Sequence, residues 1–195
     1  MISESSGRLD DLLRSAGEAS GRSPAPLERW NPPDCGDIDL RIDREGVWHY
    51  AGTPIRREAL VKLFASVLAR EGERHVLITP VEKVGIVVED APFLAVDMAA
   101  EPYEAGERLV FRTNLDDLVR CDTEHPLRFE PQAGADGVRP YIYVRRGLWA
   151  RLTRAVFLEL AERGEEREVE GRRLFGVASA GAFFPLAPAD ERNGT

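Results

Sequence analysis

Cysteine, lysine and histidine are scarce in this 195-residue chain, and each scarcity excludes something. Cys35 and Cys121 are too few for a disulfide framework and lack the paired spacing of a zinc site, so they read as two reduced structural thiols. Lysine occurs only at Lys62 and Lys83, and arginine supplies the rest of the 26 basic residues. The three histidines, His49, His75 and His125, show no metal-pair spacing on one element; His75 and His125 read as surface or loop residues. No run approaches the roughly 20 apolar residues of a membrane span, and residues 1–20 lack the basic patch and apolar core of a secretory signal. A cytoplasmic protein is expected. The net charge of −8 repels phosphate backbones and anionic surfaces, which argues against nucleic acid and membrane as partners.

Catalytic signatures are missing as well. The stretch Gly134-Ala135-Asp136-Gly137 lacks the lysine and hydroxyl of a phosphate-binding loop. Ser179-Ala180-Gly181 lacks the first glycine of a nucleophile elbow, and a strand, not a helix, is expected to follow it. No cofactor is implied.

What is present is the composition of a folded protein. Hydrophobic residues at 43% and charged residues at 31% allow a core with a solvated shell, which excludes disorder of the whole chain. Residues 1–26, rich in Ser, Gly and Pro, predict a mobile tail. Two lobes follow, at 27–91 and 92–187, with a short tail at 188–195.

In the first lobe, Ile38, Leu40 and Ile42 alternate with Asp37, Asp39 and Arg41, which predicts a half-buried strand; Asp43-Arg44-Glu45-Gly46 turns it into a partner at 47–51. Thr53-Pro54 reads as the start of a helix whose apolar stripe runs from Ile55 to Leu68 and which Gly72 stops. Strands are expected at 76–79 and 84–89, broken by Pro80.

In the second lobe, 93–98 and 108–113 predict a hairpin around Glu104-Ala105-Gly106-Glu107, followed by a short capped helix at 114–117. Strands are expected at 127–130 and 140–144, a helix at 148–163 closed by Gly164, and strands at 174–178 and 182–184. The two helices can be aligned by matching Leu60 with Leu152, Phe64 with Val156 and Leu68 with Leu160. The expected fold is α+β: two repeated strand-strand-helix-strand-strand units with a central β-hairpin and mostly antiparallel sheets.

Several separated blocks occur in a fixed order: Trp30-Asn31-Pro32-Pro33, Cys35-Gly36-Asp37-Ile38-Asp39, Gly52-Thr53-Pro54-Ile55, Thr79-Pro80-Val81-Glu82-Lys83-Val84-Gly85-Ile86, Phe111-Arg112-Thr113-Asn114, Glu124-His125-Pro126-Leu127-Arg128-Phe129 and Phe183-Phe184-Pro185-Leu186. In these the chain resembles the bacterial family called domain of unknown function 1285. The resemblance implies a two-part α+β fold with repeated substructures and carries no established activity or catalytic residues; a role in signal transduction has been suggested for the family. Two positions depart from the pattern, Ala178 in place of an aromatic and Ala180 in place of a glycine, and a looser turn is expected there.

The residues themselves offer several candidate sites. Asp37 and Asp39 lie two apart on a strand and share a face, as two carboxylates must to hold a cation or share a proton. His49, of opposite parity to Trp48 and Tyr50, would join them. Against this stands a solvated hairpin face with Arg41 nearby. Glu82-Lys83 reads as a loop tip, where binding groups are often placed. Arg112 could clamp an anion or pair across strands with an acid such as Asp97. Arg145-Arg146, at an expected helix start, opposes the macrodipole and could serve a bound anion.

The reading that emerges is a non-enzymatic module with Glu82, Lys83, Arg112 and Arg145 as ligand-binding residues, recognising a small anionic ligand or a protein partner. One alternative is a hydrolase or metal-assisted enzyme using Asp37, Asp39 and His49. Another is a structural subunit that pairs through an exposed sheet edge, into a homodimer or with another chain.

Overall fold

Four two-residue reversals, Ala51-Gly52, Arg146-Gly147, Glu170-Gly171 and Ala180-Gly181, place both central residues at positive φ. That is the hairpin turn whose twist matches the twist of the paired strands. The computed structural model describes residues 11, 14–17, 26–104, 106–132 and 137–188. Most of the expected N-terminal tail, nearly all of the C-terminal one and most of the 134–137 stretch lie outside the described residues. Contacts divide the chain into two units, Met1–Asp90 and Ala91–Thr195.

In the first unit, β1 (Asp34–Ile42), β2 (Trp48–Tyr50) and β3 (Thr53–Pro54) form one meander, and β4 (Leu68–Glu71), β5 (Arg74–Ile78) and β6 (Lys83–Val88) form another. Between them lies α1 (Glu58–Ser66). β1 and β6 pair in parallel, which joins the meanders in the order β3-β2-β1-β6-β5-β4. Trp48, fully buried on β2, stacks on Phe64 of α1 with centroids 6.0 Å apart, so the helix covers the Leu40-Ile42 face of the sheet.

The helix is shorter than its apolar stripe. Thr53 and Pro54 extend the sheet because the Ala51-Gly52 turn returns Thr53 opposite Tyr50, and at the edge Pro54 has no ladder donor to lose. Leu68 belongs to β4, and Gly72, at φ +60°, turns a hairpin and does not stop the helix.

The second unit begins with β7 (Phe93–Tyr103) and β8 (Gly106–Thr113), the expected hairpin, and continues with β9 (Leu118–Arg120), β10 (Leu127–Pro131), β11 (Val138–Arg145) and β12 (Leu148–Leu152). Their order is β10-β11-β12-β7-β8-β9, with β12 and β7 parallel. After α2 (Arg154–Glu162) come β13 (Glu165–Val169), β14 (Arg172–Ser179) and β15 (Ala182–Pro188), a separate three-stranded antiparallel sheet. The fold is α+β weighted toward β, and both six-stranded sheets are mixed, each with one parallel pair.

Four expectations change here. Residues 148–152 are strand because Arg146-Gly147 turns the chain back along β11; the helix waits for Thr153, whose hydroxyl accepts from Val156 N. Residues 114–117 form a turn, in which the Thr113 hydroxyl accepts from the amides of Leu115 and Asp117 and Asp116 adopts φ +67°. The turn at Ala180-Gly181 is tight, since Ser179 pairs directly with Ala182; Ala180 holds φ +49° without glycine. The proposed helix alignment separates: Leu60 is helical while Leu152 is in β12, and Leu68 is in β4 while Leu160 is in α2.

In the second unit, β9 and β10 lie at opposite edges of the sheet, yet only residues 121–126 connect them. A flat six-stranded sheet would place its edges about 24 Å apart, nearly the full reach of such a segment. Part of that reach is spent in a turn closed by Asp122 N and His125 O at 3.3 Å. The sheet therefore curls, and the end of β11 comes back toward β9.

The two thiols differ accordingly. Cys35 is exposed, whereas Cys121 is buried and its burial pushes the thiol up to about 12. A thiol that far above neutrality presents almost no nucleophilic thiolate. Titration with a disulfide reagent is expected to modify one thiol per native chain and the second only after denaturant is added; two fast thiols in the native protein would contradict the fold around Cys121.

Candidate functional site

The curl of the second sheet creates an open cleft of about 290 Å³ between β9, the 122–125 turn and the end of β11. It is built from strand alternation. Leu109 and Phe111 of β8 point into the core, so Arg108, Val110 and Arg112 take the other face, and Arg120 of β9 joins them opposite Val110. Arg145 enters from the end of β11, where it bonds Asp117 at 2.8 Å and stacks its guanidinium on the Phe93 ring at 5.1 Å. His125 stands on the turn that Asp122 organises; its Nδ1 lies 3.4 Å from Asp122 Oδ1, which also accepts the backbone amides of Glu124 and His125. Burial pushes the Asp122 carboxyl up, but the His125 and Glu124 amides together with the His125 side chain outweigh it and hold the group below its ordinary range.

The charges of the cleft are unevenly matched. Its lining carries Arg108, Arg120 and Arg145 against Asp117 and Asp122, in a chain of net charge −8. Arg108 and Arg120 share one carboxylate, Glu101 of β7: Arg108 gives it Nε, at 2.7 Å, and Nη2, and Arg120 gives it Nε at 3.1 Å. Hydrogen bonds from Arg108, then those from Arg120, hold the Glu101 carboxyl below the usual carboxylate range. Among the described residues, neither Nη group of Arg120 makes a hydrogen bond, and the side chain is half exposed.

Residues 25–91 match the N-terminal domain of DUF1285, a domain of unknown function, and residues 92–186 match the C-terminal domain of the protein of unknown function DUF1285. The chain belongs to the DUF1285 family. A crystal structure of a DUF1285 protein from Silicibacter pomeroyi DSS-3 is 44% identical and superposes with a TM-score of 0.82, over 92% of this chain and 96% of that one. Another, from Shewanella baltica OS155, is 33% identical with a TM-score of 0.52, over 64% of this chain and 91% of that one. No curated protein matches. The boundary between the two DUF1285 domains falls within a residue of the break between the contact units.

The candidate residues of this DUF1285 chain divide between its domains. Arg145 lies in the C-terminal cleft, on the β11 hairpin and not at a helix start. Arg112, on β8, pairs across strands with Asp97 at 3.2 Å and lies 3.5 Å from Asp116. Glu82 and Lys83 belong to the N-terminal domain. Glu82 closes a turn whose amides and carbonyl are tied to the buried Thr79 hydroxyl. Lys83 is already inside β6, with Nζ 2.8 Å from Glu71.

Asp37, Asp39 and His49 each meet different neighbours. Asp37 receives Arg74, whose guanidinium also reaches Asp34 across the space left by Gly85, where a side chain would collide with it. Asp39 is exposed and its carbonyl accepts Ala51 N. His49 bonds Asp43 at 2.8 Å, at the foot of the β1–β2 turn. His75, expected at the surface or in a loop, is inside β5; burial, then the charge of Arg70, push it down to about 4. Among the described residues, no three His, Cys, Asp or Glu side chains gather as metal ligands.

Sequence reasoning missed Arg108, Arg120 and the place of His125. The alternation Arg108-Leu109-Val110-Phe111-Arg112 was the available signal for the first, since it puts two cations on one solvated face.

Proposed function

We propose that this DUF1285 protein is a non-enzymatic cytoplasmic module that binds a small anionic ligand in the cleft of its C-terminal domain, and that occupancy is read by a protein partner in signal transduction. The observation that carries the reading is the convergence of Arg108 and Arg120 on a single carboxylate oxygen, with the Nη donors of Arg120 uncommitted among the described residues. Guanidinium offers planar, forked donors that match carboxylate and phosphate oxygens, and in a cleft it meets less competition from water. The volume of about 290 Å³ suits a small molecule or one anionic end of a larger one. Arg145, held by Asp117 and by the Phe93 ring, supplies a third cation that is already positioned.

We also read the chain as a duplication. Numbered within its own unit, each six-stranded sheet runs third, second, first, sixth, fifth, fourth, with the parallel pair at the centre. The repeated element is thus a double meander with a helix inserted at different points.

Titration calorimetry of the full chain with inorganic phosphate, sulfate and citrate tests the binding reading. Saturable binding of at least one anion is expected, and Arg120→Ala should weaken it about tenfold or more, the value of a charge-assisted hydrogen bond. Loss of affinity in Arg120→Ala with an unchanged unfolding midpoint supports the site, and a wild-type protein that binds none of the three overturns it.

A further inference from the structure

We infer that Glu101 is a resident counter-ion that reserves the Arg108–Arg120 pair for dianionic oxyanions, a small phosphate monoester in chemical class. The inference rests on the anion-binding reading above and adds both the kind of ligand and the device that selects it.

Glu101 lies directly opposite Arg108 in the β7–β8 ladder, so the backbone register holds its carboxylate beside both guanidinium groups. All three hydrogen bonds from the two arginines end on the same oxygen, Oε1. One negative charge therefore stands against two positive ones, and the pair remains one charge short of neutral. A tethered group competes at an effective concentration in the millimolar range or above. A free monoanion brings no more charge than Glu101 and lacks the tether, so it gains little by displacing it. A dianion neutralises both cations and has oxygens for the uncommitted Nη donors of Arg120, an advantage that Glu101 cannot match.

The surroundings narrow the class further. Leu118, Val119 and Val144 give the cleft apolar walls, and about 290 Å³ limits what can be enclosed. A phosphodiester carries only one charge per phosphate, so the same filter rejects a nucleic-acid backbone, in keeping with the acidic net charge.

The test compares methyl phosphate, a monoester, with dimethyl phosphate, its monoanionic diester, by calorimetry on the full chain at pH 7.5. Wild type should favour the monoester about tenfold or more, and Glu101→Gln should strengthen both esters, bringing the diester up about tenfold or more, because the tethered competitor that each must displace is gone. Glu101→Asp, a shorter carboxylate that keeps the charge, should strengthen both by a smaller amount; it serves if Glu101→Gln folds poorly. Glu107→Gln removes an equal charge from a carboxylate paired with Arg163, and its affinities should equal wild type. A wild type that binds the two esters equally, unchanged affinities in both Glu101 variants, or an equal strengthening in Glu107→Gln overturns the inference. If wild type binds citrate but neither ester, the selectivity claim falls while anion binding stands, and if it binds no anion both fall together.

Discussion

Replacing Ser179 with alanine is expected to destabilise the C-terminal domain by about 2–4 kcal/mol, since two buried backbone groups lose their partner at about 1–3 kcal/mol each. The Ser179 hydroxyl accepts from Leu109 N at 2.9 Å and donates to Cys121 O at 2.7 Å, and the side chain is only 1% exposed. Just there the β8–β9 ladder ends: Cys121 N still reaches Leu109 O, but the reciprocal bond is replaced by the serine from β14. One hydroxyl thus continues the ladder and attaches the three-stranded sheet to the curled one. Alanine has the right size but neither donor nor acceptor, so the buried Leu109 amide and Cys121 carbonyl lose the group that joins them. Urea unfolding followed by Trp149 fluorescence, with hydrogen exchange at the Leu109 amide, gives the measurement. A midpoint equal to wild type together with an equally protected Leu109 amide would refute this account.

Gly176→Ala should cost about 1–3 kcal/mol or more, the penalty of overpacking where the neighbours cannot yield. A Cβ at Gly176 would strike the Phe184 carbonyl oxygen and lie 2.6 Å from Phe183 Cζ and 2.9 Å from Pro185 Cα. Two of these atoms are backbone of β15, fixed by the ladder at the point where its register shifts between Phe175 and Gly176. Gly85→Ala is the informative comparison. There the atoms in the way are the ends of the Asp37 and Arg74 side chains, which are exposed and free to swing aside. Exposed ion pairs contribute about 0–1 kcal/mol, so Gly85→Ala should shift the unfolding midpoint far less than Gly176→Ala. Equal midpoints for the two variants would mean that backbone rigidity at β15 is not what makes Gly176 necessary.

Ser179 lacks the sequence context of a nucleophile, and the strand expected after it is present; that its hydroxyl closes a ladder between two sheets depends on Leu109 and Cys121, far away in sequence. Arg112 was read with Asp97 as its alternative partner, and the β7–β8 register places them opposite each other because a simple hairpin leaves little choice. Arg108 and Arg120 carried the same alternation but gained meaning only when β9 folded beside β8 and brought both to Glu101.

Both helices are shorter than their apolar patterns for a definite reason. Leu68 and Leu152 continue an apolar pattern that suits a helix stripe and a strand buried on both faces equally well. The x-Gly reversals decide the matter, and of the four, Ala51-Gly52 and Arg146-Gly147 stand where helix was expected to begin.

By itself the sequence determined the α+β class, the central hairpin and the family, because alternation, turn residues and ordered motifs are properties of short stretches. Tertiary structure alone decided the parallel pairing of β1 with β6 and of β7 with β12, the curl that joins β9 to β10, and the meeting of Arg108, Arg120 and Arg145 at one cleft. Those depend on strands dozens of residues apart finding one register that buries both faces, and no local pattern encodes which distant edge will be the partner.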